Sequence, residues 1–364
     1  MRRIQPELTE ELLQHFEDPK RVGQSDPFPV STFRELVEHT AKLAFKNKDH
    51  LIFYRGQAID FKNKGGSSSF YPNIYRGEHL SIRELENRFA ILKGASEELV
   101  ELFQSENIEG YRELKRRKAV QWSVLQHYEV CHTPYLDFTH SLRVACSFAT
   151  LDNKEEYAYI FVFGFPYLTN RISINSEHDI INIRLLSICP PTALRPYFQE
   201  GYLAGTDDIT TTYESKAELD FNNRLIAKFR IPNNDDFWGK GFDKIPKKSL
   251  YPSNDPIFKL CDQIKENSIK QRRIGGQGEF LKLWSILEEK LFTLAHRETE
   301  KLIPLKEATR IVHQKGYLSK EQSNQIVKLK SFRNSIVHSP SDVNDEQVNS
   351  YLSLLKTVIQ LLLI

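Results

Sequence analysis

WSVLQHYEVCHTPYLDFTHSLRVACSFAT, residues 122–150, decides how the rest of the chain is read. From about Lys115 to Tyr128, apolar residues recur at helical spacing (Val120, Val124, Leu125, Tyr128). Tyr135-Leu136-Asp137-Phe138 then alternates apolar and polar as a half-buried strand does. Thr139 and Ser141 stand where an N-cap belongs, ahead of a small-residue helix carrying Val144, Ala145, Phe148 and Ala149. Gln126, His127, Asp137, Thr139 and Ser141 are threaded through this apolar sequence. Buried polar groups need partners, so these five form either a structural hydrogen-bond network or a site.

Upstream, Pro6 to Thr9 opens one helix, and Ser31 caps a second over Thr32–Lys46 with a buried stripe of Leu36, Val37, Thr40 and Leu43. Leu51–Gln57 (LIFYRGQ) predicts a strand that delivers Arg55 to its own end. Residues 60–70, with GGSSS inside, read as a flexible loop. A polar helical stretch runs from Ser81 to about Lys118, and its Arg112, Lys115, Arg116, Arg117 and Lys118 form a basic cluster best read as a solvated face. Downstream, Tyr157–Phe165 (YAYIFVFGF) is the strongest strand, followed by candidates at Ile180–Ile188 and Asn223–Ile231, with a polar loop from Gly205 to Ser215. Lys270–Gln277, charged and with paired glycines, reads as a linker. Beyond it four amphipathic helices are expected: Phe280–Glu298, Pro304–His313, Ser319–Val337 and Asp345–Leu363. The organisation is therefore α+β followed by all-α: an N-terminal helical segment (1–48), a sheet domain (49–270) and a helical bundle (277–364).

The chain has 364 residues and a net charge of +2, so charge gives no general argument for nucleic acid or membrane. Cys131, Cys146, Cys189 and Cys261 are scattered, with no zinc-type spacing, and read as reduced thiols of a cytoplasmic protein. No signal peptide or membrane span is visible, and Lys356 interrupts the apolar C-terminal run. There is no G-x-G-x-x-G, P-loop or H-E-x-x-H, and no metal or cofactor is required by any motif.

W-x-x-L-Q-H-Y, L-D-F-T and A-x-x-F-A resemble the FRG family, as do Tyr54-Arg55-Gly56-Gln57, Pro72 and Arg76 in YPNIYR, and Arg195, Gln199 and Gly201 in RPYFQEGY. The resemblance covers roughly residues 50–260. The turn after His127-Tyr128 departs from it: Glu129-Val130-Cys131-His132 stands where Gly and Pro are usual, and Pro134 where Arg is expected. The order of Arg55, a hydroxyl residue before the small-residue helix, and a later acid or amide is similar to that of ADP-ribosyltransferase folds. That similarity implies a mixed sheet and NAD or a nucleotide as ligand. Arg55 would hold a diphosphate, Thr139 or Ser141 the nicotinamide ribose, and Gln199 or Glu200 the 2′-hydroxyl; transfer chemistry would need Glu200. Gln57, Gln126, His127, Asp137 and Arg195 complete the implied ligand set. The alternative is a buried Arg55–Asp137 ion pair that fixes the fold.

In the helical part, Phe332-Arg333-Asn334-Ser335-Ile336-Val337-His338 matches the R-x4-H signature of HEPN-like helical domains. Asn334 and His338 share a helix face with Arg333 beside them, Ile336 and Val337 face the core, and Ser339-Pro340 ends the helix. The resemblance implies metal-independent RNA cleavage across a homodimer, with His338 moving the proton and Arg333 stabilising the phosphorane. The apolar run Ile359–Ile364 would supply the dimer surface. The same motif also serves as a structural cap. Both resemblances imply a bacterial defence or toxin-type effector. Two alternatives stand beside it: an endoribonuclease with a non-catalytic FRG sensor, and a pair of binding modules.

Overall fold

A computed structural model describes residues 1–77, 80, 82–207, 213, 215–273, 276–295, 303–338, 343 and 345–362. The chain divides into two compact units. The first comprises Met1–Ile74, Leu92–Thr210 and Ala217–Asp262; the second comprises Tyr75–Ile91, Thr211–Lys216 and Gln263–Ile364.

In chain order the elements are α1 (Glu10–Phe16), β1 (Phe28–Pro29), α2 (Phe33–Lys46), β2 (Leu51–Gln57), α3 (Ile82–Ser105), α4 (Tyr111–Arg116), α5 (Lys118–His127), β3 (Leu136–Thr139), α6 (Leu142–Thr150), β4 (Tyr157–Phe165), β5 (Ile172–Asn175), β6 (Ile180–Arg184), α7 (Arg195–Gln199), β7 (Gly201–Gly205), β8 (Leu225–Pro232), α8 (Lys247–Leu250), α9 (Pro256–Arg273), α10 (Gly276–Ala295), α11 (Leu305–Gln314), α12 (Lys320–His338) and α13 (Asp345–Leu361). The first unit is built on a mixed eight-stranded sheet in the order β1-β8-β4-β2-β3-β7-β6-β5. Only β1 and β8 run parallel; the other neighbours are antiparallel. β4 lies between β8 and β2, and burial of both its faces explains its unbroken apolar run. Its Phe161, Phe163 and Phe165 join Phe53, Phe138 and Phe221 in the core.

Several expectations are corrected at the level of single residues. Thr32, not Ser31, caps α2: its hydroxyl accepts from Glu35 N, and the Glu35 carboxylate accepts from Ser31 N. The buried stripe of that helix is Phe33, Leu36, His39, Thr40 and Leu43, and Val37 lies outside it, 40 % exposed. The helix read as continuous from about Lys115 breaks at Arg117, whose extended backbone separates α4 from α5. Arg112, Lys115, Arg116 and Lys118 are exposed there, while Arg117 pairs with Glu113 at 3.4 Å. The linker reading of Lys270–Gln277 fails for the six of its residues that are described: Lys270–Arg273 complete α9, and Gly276 and Gln277 open α10. Lys, Gln and Arg are good helix formers and no Gly or Pro interrupts them. Ile274 and Gly275 lie outside the described residues, as does most of the expected loop 205–215.

In the stretch 60–70 the tip, 61–66, is exposed, while Ser67, Ser68 and Phe70 are buried and tie the loop to the sheet. Asn63 Oδ1 accepts from Gly65 N and Ser67 N, Lys62 and Ser68 form an isolated bridge, and Phe70 packs edge-on against Phe161 and Phe163. Beneath them Lys228, fully buried on β8, donates to Gly23 O (3.0 Å), Ser68 Oγ (2.9 Å) and Asp60 Oδ2 (3.2 Å). Burial, and then the neighbouring Lys62 ammonium, push its pKa from 10.5 down to about 8, against the pull of Asp60. The unfolded chain therefore holds this proton more tightly than the folded one between about pH 8 and 10.5. Stability contributed at Lys228 rises through that window. Urea unfolding of the wild type and Lys228→Met at pH 7.5 and pH 10 should show the difference moving towards the wild type at the higher pH. A pH-independent difference would contradict a depressed lysine.

The second unit has an all-helical core of Phe280, Trp284, Leu287 and Leu291 from α10, Ala308 and Val312 from α11, Ile326, Leu329, Phe332 and Ile336 from α12, and Val348, Leu352, Leu355 and Val358 from α13. Ile359 and Leu362 also face this core, leaving Leu361 as the exposed apolar residue among the described residues of that end. Leu363 and Ile364 of the expected dimer surface lie outside the described residues. No helix among the described residues is long and apolar enough to cross a membrane.

Candidate functional site

The sheet is two ladders joined at a narrow place. β2 pairs with β4 along its whole length, and β3 pairs with β7 along all four of its residues. Among the described residues, β2 and β3 pair at one position only, Tyr54↔Thr139. Past that joint the end of β2 (Arg55, Gly56, Gln57) and the start of β3 (Leu136, Asp137, Phe138) part as a ladder, with no further pairing between them. Arg55 Nη1 reaches into the parting and donates to the Asp137 carbonyl at 2.6 Å. The Gln57 Oε1 atom is buried and has no hydrogen-bond partner. Gly56 is required by what lies against it: a Cβ there would sit 1.8 Å from the Ala145 carbonyl oxygen of α6.

The Tyr-Arg-Gly-Gln strand, the Gln-His-Tyr helix end and the Leu-Asp-Phe-Thr strand thus meet around Asp137. Residues 51–158 match the FRG domain. No curated protein and no solved structure matches the chain.

Asp137 is the hub of this cluster. Its Oδ2 accepts from Gln126 Nε2 at 2.7 Å, and its Oδ1 lies 3.7 Å from His127 Nδ1. Gln126 and His127 are the last two residues of α5, both buried, so the helix end presents them to the strand. Gln126 Oε1 accepts in turn from Thr133 Oγ1 in a short hydrogen bond. Loss of water raises the Asp137 carboxyl, but His127, Gln126 and the Arg55 charge outweigh it and hold the group below its ordinary value. The carboxylate is therefore ionised at neutral pH with its side chain 43 % exposed. His127 Nε2, on the far side of the ring, is buried without a partner, and Gly201 leaves room for that ring. Arg55 and Asp137 do interact, but without the direct side-chain contact expected of the structural alternative: the guanidinium bonds the Asp137 backbone carbonyl, the carboxylate takes Gln126, and the Arg55 charge acts on it through space.

The other expected site residues have structural partners. Thr139 Oγ1 donates to the Gln199 carbonyl (3.0 Å) and accepts from Ser141 N (3.1 Å). Ser141 caps α6 through Val144 N. Gln199 Nε2 donates to the Leu250 carbonyl at 2.9 Å. Arg195 is buried; it donates to the His127 carbonyl at 2.7 Å and stacks on Tyr251 at 4.4 Å. Glu200 is exposed in a left-handed conformation (φ 44°). It precedes Gly201, which pairs with Thr139, whereas Leu203 pairs with Asp137. Register thus puts Glu200 three residues, about 10 Å, along β7 from the position opposite Asp137. Glu129, in the turn that departs from the family pattern, is also left-handed (φ 56°), a conformation for which Gly is the common solution.

Asp255 is the polar residue that sequence reasoning missed. Its Oδ2 accepts from Tyr128 Oη (2.7 Å), Arg195 N (2.9 Å) and Leu194 N (3.0 Å), and its Oδ1 from Ile257 N (3.0 Å) and Phe258 N (3.4 Å). The signal was present: Asp followed by Pro at the first position of a helix is an N-cap pattern.

In the helical unit, Arg333 is 3 % exposed and belongs to the interior stripe of α12 with Phe332 and Ile336. Val337, expected in the core, is 38 % exposed because it falls one position past that stripe. Asn334 is half-buried with an unpartnered Oδ1. The His338 side chain and residues 339–340 lie outside the described residues. Among the described residues no group of His, Cys, Asp or Glu is arranged to hold a metal ion.

Proposed function

We propose that the FRG domain binds a nucleotide of the NAD type in the opening between β2 and β3. The observation that carries this is the convergence, where the sheet parts, of a guanidinium and an ionised, half-exposed carboxylate backed by buried amide and imidazole groups. A strand-borne arginine suits a diphosphate, and Gln57 with its unpartnered buried oxygen offers an acceptor beside it. The ligand set narrows to Arg55, Gln57, Gln126, His127 and Asp137, since Thr139, Ser141, Arg195 and Gln199 are engaged in holding the fold. The position of Glu200 along β7 favours binding over group transfer. On this reading the protein is a nucleotide-responsive effector of the defence type implied by the FRG resemblance, with the helical unit as its HEPN-like partner module. The interior position of Arg333 does not favour contact with RNA.

Calorimetric titration of the full chain with NAD should show saturable binding. Arg55→Lys, which keeps the charge and loses the fork, should weaken it at least tenfold, about 1.4 kcal/mol. Its melting midpoint should stay within a few degrees of the wild type. No heat of binding up to millimolar NAD, or unchanged affinity in Arg55→Lys, would refute the proposal.

A further inference from the structure

Two firmly held carboxylates beside these motifs, Asp137 and Asp255, are finished to different degrees. Asp255 is 1 % exposed and five donors fill its oxygens, as expected of a carboxylate that holds a fold together. Asp137 is just as firmly positioned, on a strand paired with β7, yet it accepts one short hydrogen bond, from Gln126. An ionised carboxylate has about four acceptor positions; on Asp137 the Gln126 amide takes one on Oδ2, His127 Nδ1 stands 3.7 Å from Oδ1, and the side chain keeps 43 % of its surface exposed.

We infer that Asp137 accepts the vicinal hydroxyls of a ribose, so that the FRG site distinguishes ribonucleotides from analogues lacking the 2′ and 3′ hydroxyls. This rests on the nucleotide reading above and adds to it the part of the ligand that is recognised. What the carboxylate needs is donors. Cationic donors are disfavoured because the Arg55 charge already acts on it and the His127 ring lies 3.7 Å away. Neutral hydroxyls remain, and a sugar diol supplies two O–H donors side by side to one carboxylate. The Gln126 amide, held from behind by Thr133, fixes the plane of the carboxylate, so little rotamer freedom is lost on binding. A site built to bond a hydroxyl rejects the analogue without it because its own acceptor is then left buried and unfilled.

The test is a parallel titration of the full chain with ADP and with 2′,3′-dideoxy-ADP, repeated on Asp137→Asn. The asparagine variant keeps an oxygen for Gln126 and the backbone carbonyl for Arg55. The expected result is a loss of tenfold or more for the dideoxy analogue on the wild type, with that ratio falling towards one in Asp137→Asn. Equal affinities of the wild type for ADP and its dideoxy analogue would overturn the ribose assignment while leaving nucleotide binding in place. A tenfold ratio that persists in Asp137→Asn would move the hydroxyl contact to another residue and overturn the assignment to Asp137. Binding of neither nucleotide would overturn both.

Discussion

Gly56→Ala is expected to lower the unfolding free energy by at least about 3 kcal/mol, the upper part of the usual range for overpacking. The added methyl would lie 1.8 Å from the Ala145 carbonyl oxygen, 2.8 Å from its carbonyl carbon and 3.0 Å from Ala149 Cβ. No flexible side chain is available to move aside. Gly56 is held on one side by its pairing with Ile160 of β4, and the obstacle is helix backbone. Relief requires shifting α6 as a body, and its buried Val144, Ala145, Cys146 and Ala149 would lose their packing with it. Urea unfolding followed by tryptophan fluorescence and circular dichroism measures the cost. An unchanged midpoint would show that α6 does not approach β2 as closely as described. The role of this glycine is thus spatial: it lets α6 touch the strand beside Arg55.

Asp255→Ala is expected to cost about 3–5 kcal/mol, because it leaves several buried donors without an acceptor at once. Tyr128 Oη, and the backbone amides of Leu194 and Arg195 ahead of α7, would lose a common partner, as would the first amides of α9. Burial, followed by the hydrogen bond to Asp255, already pushes the Tyr128 hydroxyl far above its ordinary value, so the phenol cannot escape by ionising. Asp255→Asn, which keeps one acceptor oxygen but turns an amide towards N–H groups, should fall between wild type and alanine. Equal stability of Asp255→Ala and wild type would contradict the network. Because Arg195 also bonds the His127 carbonyl, the alanine variant should loosen the helix end that carries Gln126 and His127.

Much of the architecture was legible. Strands Leu51–Gln57 and Tyr157–Phe165 are found where their apolar runs predict, and Ser141 caps the small-residue helix that follows. The helices of the second unit follow their apolar stripes to within a few residues at each end. What was missed has a common cause: the decisive neighbours are distant in sequence. Gly201–Gly205 became β7 despite two glycines because β3 and β6 flank it, and a five-residue GYLAG carries no strand signal alone. The short β5 exposes Ile174 and was invisible for the same reason. Val37 and Val337 are apolar residues on amphipathic helices, but each sits one position off the buried stripe. The serine- and glycine-rich loop looked flexible because nothing local announces Lys228, about 160 residues later, as its anchor.

For the site, residue types were readable and their division of labour was not. Gln126, His127, Asp137 and Arg55 are brought together as the motifs implied. Thr139, Gln199 and Arg195 look equally functional in sequence, yet their hydrogen bonds run to backbone carbonyls that join β3, α7, α8 and α5. That distinction depends on where β2 and β3 cease to pair, which is a property of register.

The central claim, that the parting of β2 from β3 is a ligand site, is tested most directly by amide hydrogen exchange of the full chain with and without saturating NAD. Slowed exchange is expected in peptides covering 51–58 and 122–139, with the helices from 276 to 362 unchanged. Unchanged exchange in both of those peptides, or protection confined to the C-terminal helices, would contradict it.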